Sequence, residues 1–144
     1  MTADEACRMF AGARVARLAT VGPNGAPHLV PMVFALDREA SRDGGGTVYS
    51  AVDAKPKRTT KLRRLDNVRA NPRVALLADH YEHDWTALWW VRADGHGRVI
   101  EPDEPEAQHA VALLAARYEQ YAATPPTGPV LAIDVERWTG WRAR

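Results

Sequence analysis

Two prolines inside one otherwise strand-forming run constrain this chain more than any other feature. Residues 15–21 read as a strand, Gly22-Pro23-Asn24-Gly25 turns the chain, and residues 26–36 return as the second arm of a hairpin. Pro27 and Pro31 lie in that returning arm. Proline has no N–H to give to a ladder, so this strand is predicted at a sheet edge or bulged there. Either way it exposes backbone that a ligand can use.

The remaining segments build around the hairpin. Thr2 and Glu5 form a capping box ahead of Ala3, Ala6, Cys7 and Phe10, which predicts a short N-terminal helix. Residues 37–46, ending in three glycines, are a loop, and 47–52 form a third strand. A helix capped by Thr59 or Thr60 follows, with Leu62, Leu65 and Val68 as its buried stripe and Asn71-Pro72 as its stop. Residues 74–78 are a strand, 79–84 a polar loop, and 86–100 one long strand or two interrupted at Gly95-His96-Gly97. Asp103 with Glu106 is expected to cap a second long helix, whose core face is Ala107, Ala110, Val111, Leu114 and Tyr118. After a loop at 124–129, a last strand at 130–135 presents Leu131, Ile133 and Val135 on one face. Six or seven strands with short turns favour a small antiparallel barrel decorated by helices.

The 144 residues fit one domain spanning 1–144, and 46% hydrophobic content is too apolar for a disordered chain. No apolar run approaches the ~20 residues of a membrane helix, so no membrane partner is expected. Asp4, Glu5 and Arg8 break the apolar character of residues 1–10, which therefore do not read as a signal peptide. The lone Cys7 cannot form an intrachain disulfide, and a reducing, cytoplasmic setting is expected.

Charge is distributed unevenly. The stretch 55–73 holds Lys55, Lys57, Arg58, Lys61, Arg63, Arg64, Arg69 and Arg73 against the single acid Asp66, a net +7. Eleven basic and seventeen acidic residues elsewhere leave the rest at −6. A concentrated positive segment on a nearly neutral protein holds an anion or meets one, unless it is simply a solvated basic helix face.

No catalytic constellation stands out. Ser41 and Ser50 lack a nucleophile-elbow context, Cys7 sits on an apolar helix face, and Gly44-Gly45-Gly46 joins two strands without a helix behind it. The most metal-like cluster is Asp79-His80-Tyr81-Glu82-His83-Asp84. In a loop its side-chain directions are unspecified, so a solvated loop is the favoured reading and no metal is assigned. Tryptophan is more informative. Trp85, Trp89 and Trp90 are expected to cluster on one strand, and Trp138 and Trp141 lie near the C-terminus. Adjacent Trp89 and Trp90 face opposite sides of a strand, so one fills the core while the other needs a partner subunit or a planar ligand. A +7 segment opening a helix suits phosphate and indoles suit a flat ring. A nucleotide-like cofactor with an anionic tail satisfies both, as does single-stranded nucleic acid. The acidic remainder gives no wide basic footprint, so no nucleic-acid partner is expected.

The segments RVARLATVGPNGAPHLVPMVFAL (14–36), RRLDNVRANPRVALL (63–77) and WTALWWVRADGHGRVI (85–100) resemble, in order and spacing, the pyridoxamine-phosphate-oxidase-like split barrels. The likeness is greatest to their actinobacterial branch of deazaflavin-dependent (coenzyme F420) oxidoreductases. That resemblance implies a homodimer of six-stranded antiparallel split barrels with cofactors in grooves at the dimer interface. It places a phosphate site at Lys55, Lys57, Arg58 and Lys61. Aligned from the third strand, Lys57 is the main phosphate ligand; aligned back from Asn71-Pro72, it is Arg64. Ring contacts fall at Pro31, Met32 and Val33 and at Ser50, Ala51 and Val52, with Trp85 and Trp89 closing the groove. The implied activity is hydride transfer between the deazaflavin and a small organic substrate, a step the cofactor carries without an obligatory protein acid or base. FMN is the rival cofactor, in an oxidase or reductase. A protein that holds flavin, deazaflavin or haem without turnover is the alternative in kind.

Overall fold

The computed structural model describes residues 1–40, 44–52 and 59–144, the last stretch with side chains from residue 63 onward. Helix α1 (Ala3–Gly12) opens with the expected capping box. The Thr2 N–H donates to Glu5 Oε2 at 2.8 Å and the Glu5 N–H to Thr2 Oγ1 at 3.1 Å. Its buried face carries Ala6, Cys7 and Phe10, and the Phe10 ring packs against Phe34 and Trp138.

Strands β1 (Ala16–Val21) and β2 (Pro27–Met32) form the hairpin, paired from Ala16↔Met32 to Val21↔Pro27. Asn24 and Gly25 make the turn at φ of 61° and 76°, a region favoured by these two residue types. Then come β3 (Ala35–Asp37), β4 (Thr47–Ala51), α2 (Thr59–Ala70), β5 (Arg73–His80), β6 (Trp89–Ile100), α3 (Pro105–Arg117), α4 (Glu119–Ala123) and β7 (Val130–Arg142). The sheet order is β2-β1-β5-β6-β7-β4-β3, antiparallel throughout. The strand with the two prolines is thus an edge strand.

The sheet has seven strands rather than six, because the run 26–36 divides at Val33 and Phe34. Phe34 spends its backbone groups off the ladder. Its N–H donates to Tyr118 Oη at 3.1 Å, and its carbonyl accepts from Arg117 Nη1 at 2.8 Å. The two edge strands, β2 and β3, are joined through this junction and no ladder connects them among the described residues. The result is a curled sheet with a seam, a barrel split along one side.

The main core lies inside the curl, where Leu18, Val48, Leu76, Val91, Leu131 and Ile133 meet Phe10 and Phe34. Helix α3 covers the other side of β4 and β7, setting Ala107 and Ala110 on Tyr49, Val130 and Ala132. That second layer explains why every residue of 130–135 is buried, on both faces. β7 also runs on to Arg142, beyond the expected end at 135.

β6 is one continuous strand with a register shift against β7 between Asp94 and Gly95. A Cβ at Gly95 would lie 2.3 Å from the Asp134 carbonyl oxygen, so the close strand approach there requires glycine. The expected Asp103–Glu106 cap does not form. α3 starts at Pro105 behind Glu104 without a side-chain cap, since proline at the first turn lacks an N–H to satisfy. Glu106 instead accepts from Arg98 Nη1 at 2.6 Å, Arg98 Nη2 at 2.7 Å and Tyr49 Oη at 2.8 Å. Arg98 Nε also donates to buried Asp134 at 2.7 Å, tying α3 to the sheet. Among the described residues no helix is long and apolar enough to cross a membrane.

Candidate functional site

The seam of the barrel opens into a cleft of about 450 Å³, within the range of small-molecule and cofactor sites. Pro31, Met32 and Val33 at the end of β2 form one wall, and Ser50, Ala51 and Val52 at the end of β4 form the other. Ser50 Oγ donates to the Val33 carbonyl at 2.9 Å and pins the two walls together. The Val52 N–H is taken by the Pro129 carbonyl at 3.1 Å, fixing the end of β4. Arg64 of α2 closes one side, and Gln120, Tyr121 and Thr124, on and just after α4, close another.

Helix α2 is set over the sheet by its apolar stripe, with Leu65 and Val68 buried against the core. Between them Asn67 donates through Nδ2 to Thr20 Oγ1 at 3.0 Å, which fixes the helix's rotation over β1. Gly97 of β6 sharpens that packing, since a Cβ there would fall 2.9 Å from Val68 Cγ1. The same rotation carries Arg64, three residues before Asn67, into the cleft. Its Nε is buried without a hydrogen-bond partner, and no carboxylate pairs with the guanidinium among the described residues. Burial pushes the Arg64 pKa down from the ordinary arginine value. A partly desolvated cation without a counter-charge is costly in isolation and favourable once an anion arrives.

Seven of the residues expected from the sequence therefore meet in one cleft: Pro31, Met32, Val33, Ser50, Ala51, Val52 and Arg64. Lys55, Lys57 and Arg58, and the side chain of Lys61, lie outside the described residues. Trp85 and Trp89 are not brought to this cleft. Trp85 is 76% exposed at the end of the β5–β6 hairpin, and Trp89 packs partly buried against the main core. Gln120, Tyr121 and Thr124 went unpredicted. Five residues of α4, following the extended backbone at Tyr118, are too few to show a helical period of their own.

Trp89 and Trp90 do part company across β6. The register sets Trp90 opposite Trp141 of β7 and Asp79 of β5 on the outer face. The same register puts Leu77 opposite Arg92, and Leu29 opposite Ala19, on that face. Leu29 is 67% exposed, Leu77 38% and Trp141 44%, so the outer face exposes apolar side chains among the charged Arg17, Asp79 and Arg92. A groove of about 470 Å³ between Leu77, Asp79, Tyr81, Trp90 and Arg92 runs along it. Among the described residues no three metal-ligating side chains gather into a cluster.

A curled seven-stranded antiparallel sheet, split at one seam and flanked by helices, defines the split-barrel class. The family described as pyridoxamine 5'-phosphate oxidase matches residues 3–142, and the chain belongs to that family. Solved structures share the fold. A conserved hypothetical protein from Mycobacterium tuberculosis, 24% identical, matches over 100% of this chain and 86% of its own with a TM-score of 0.70. An FAD-binding protein from Mesorhizobium loti is 22% identical over 97% of this chain and 94% of its own, with a TM-score of 0.69. A heme binding protein from Mycobacterium smegmatis is 19% identical over 98% of this chain and 54% of its own, with a TM-score of 0.72. No curated protein is significantly similar in sequence.

Proposed function

We propose that the chain is an oxidoreductase that binds coenzyme F420 in the seam cleft and passes a hydride between it and a small organic substrate in the cytoplasm. The observation that carries this reading is Arg64, whose buried Nε has no hydrogen-bond partner among the described residues, set in a cleft walled by the two strand ends 31–33 and 50–52. Bound there, the deazaflavin supplies the hydride chemistry at one ring carbon. The protein's part is to bind, orient and exclude water. Arg64, with Lys55, Lys57, Arg58 and Lys61, holds the phosphate and anionic tail. Residues 31–33 and 50–52 flank the ring, and Ser50 keeps their spacing through its bond to Val33. No side chain is assigned a proton-transfer role. FMN fits the same cleft chemistry; F420 is preferred because its glutamyl tail gives the basic surplus of residues 58–73 a use.

The functional unit in this reading is a homodimer. The outer-face apolar side chains of Leu29, Leu77, Trp90 and Trp141 suit a second copy, whose exposed Trp85 is the candidate to reach across. A monomeric mass by light scattering at micromolar concentration overturns that part. Binding without turnover is the second reading, favoured by the FAD-binding and heme binding neighbours.

The test is a parallel titration of the purified protein with F420 and FMN, following each cofactor's own fluorescence, on the wild type and on Arg64→Gln. Selective F420 binding that Arg64→Gln weakens at least ~10-fold is the expected result, a charge-assisted contact being worth about 1.5–3 kcal/mol. Binding of neither cofactor overturns the reading. Cofactor bound tightly but never reduced or oxidised across a panel of unsaturated substrates favours the second.

A further inference from the structure

We propose that a second chamber beside the cleft selects substrates by an anionic group held at Arg14, with a planar unsaturated body lying along Tyr118 and Tyr121. The inference rests on the reading of the adjoining cleft as the cofactor site. The chamber, about 340 Å³, is lined by Arg14, Val15, Val33, Tyr118, Gln120 and Tyr121. It shares Val33, Gln120 and Tyr121 with the cleft, so the two spaces adjoin at those residues. That volume suits a single ring or a short conjugated chain, at the small end of ligand sites.

Its walls set the aromatic and aliphatic Tyr118, Tyr121, Val15 and Val33 beside the polar Arg14 and Gln120. Tyr118 and Tyr121 meet edge to face, centroids 6.0 Å apart and planes at 80°. The Tyr118 hydroxyl is committed to the junction, where it accepts from the Phe34 N–H and lies 3.0 Å from the Arg14 carbonyl and 2.9 Å from that of Phe34. Tyr118 therefore offers the chamber its ring rather than its hydroxyl. Two guanidinium groups sit on that ring, Arg14 at 5.1 Å and Arg117 at 5.4 Å from the centroid. Arg117 is spent on the carbonyls of Phe34 and Ala13. Arg14 is not, and no carboxylate pairs with it among the described residues. Two like charges over one ring repel each other, and a bound anion relieves that repulsion. Arg64 lines only the cleft and Arg14 only the chamber. The phosphate end of the cofactor belongs with Arg64, which leaves Arg14 for an anion that arrives with the substrate.

Two probes test this, trans-cinnamate and its neutral amide trans-cinnamamide, which share one planar body and differ in charge. Their affinities are measured by ligand-observed NMR on the full chain, for wild type, Arg14→Gln, Arg14→Lys and Tyr121→Ala. F420 and FMN are titrated into the same preparations. Wild type is expected to favour the acid ~10-fold. Arg14→Gln should abolish the preference while amide and cofactor affinities stay unchanged, and Arg14→Lys should keep part of it. Tyr121→Ala should weaken acid and amide equally. Equal binding of acid and amide by the wild type, or a preference that survives Arg14→Gln, overturns the proposal. A loss of cofactor affinity in Arg14→Gln also overturns it, because Arg14 then serves the cofactor's own tail. A charge preference in a protein that binds neither cofactor supports the chamber and sinks only the cofactor reading.

Discussion

Replacing Arg64 with methionine should make the cofactor-free protein more stable and the cofactor-binding protein worse. The side chain runs into the cleft with its Nε buried and without a partner, and burial alone lowers its pKa. An unsatisfied buried donor costs about 1–3 kcal/mol. Arg64 is only partly buried and lines the open cleft, so the low end applies. Methionine keeps an unbranched stem of similar reach, removes the orphaned donor and adds no charge to desolvate. The expected gain is about 1 kcal/mol, or roughly 2–4 °C in Tm for a chain near this length. In the proposed site the same change removes a charge-assisted contact to the cofactor's phosphate and should weaken cofactor binding by ~10- to ~100-fold. Thermal denaturation by circular dichroism on cofactor-free protein reads the first effect, and cofactor fluorescence the second. An Arg64→Met protein that melts several degrees lower, with cofactor affinity intact, would refute the reasoning, because Arg64 would then be a structural residue of α2.

Three further changes probe the scaffold. Gly95→Ala drives a Cβ against the Asp134 carbonyl at the β6–β7 register shift; a loss of at least ~2 kcal/mol in urea denaturation is expected, since backbone cannot step aside as a side chain can. Asp134→Ala leaves the Arg98 guanidinium short of its buried partner and should cost about 3 kcal/mol by the same measurement. Asp37 accepts from His109 at 2.7 Å and from two backbone N–H groups, which hold its carboxyl below the ordinary 3.8. A depressed folded pKa gives stability that is complete above the unfolded value and lost as pH falls through the folded one. Melting curves across pH should therefore show Asp37→Asn less stable than wild type at pH 7 and converging with it in acid.

Legibility in the sequence followed the length over which a physical constraint repeats. Pro27 and Pro31 announced an edge strand because each lacks a donor, a local fact that no packing can undo. Thr2 with Glu5 announced α1 for the same kind of reason. Asp103 with Glu106 has capping spacing but spends Glu106 on Arg98 and Tyr49, a tertiary demand that spacing does not encode. The break at Val33–Phe34 was hidden because the groups that cause it, Arg117 and Tyr118, lie more than eighty residues away. Charge counting led to the basic segment as a whole. Alignment back from Asn71-Pro72 pointed to Arg64, and the rotation of α2, set by Asn67 on Thr20, is what carries it into the cleft. Gln120, Tyr121 and Thr124 reach the cleft only through the turn between α3 and α4, which has no pattern of its own.

The most direct measurement of the central claim is a crystal structure of the protein grown with F420. Arg64 as the anion site requires the cofactor phosphate within ~3 Å of its guanidinium, a hydrogen-bonding distance, with the ring between residues 31–33 and 50–52. A cofactor bound elsewhere, or one whose phosphate ignores Arg64 while the cleft stays filled by solvent, would contradict it.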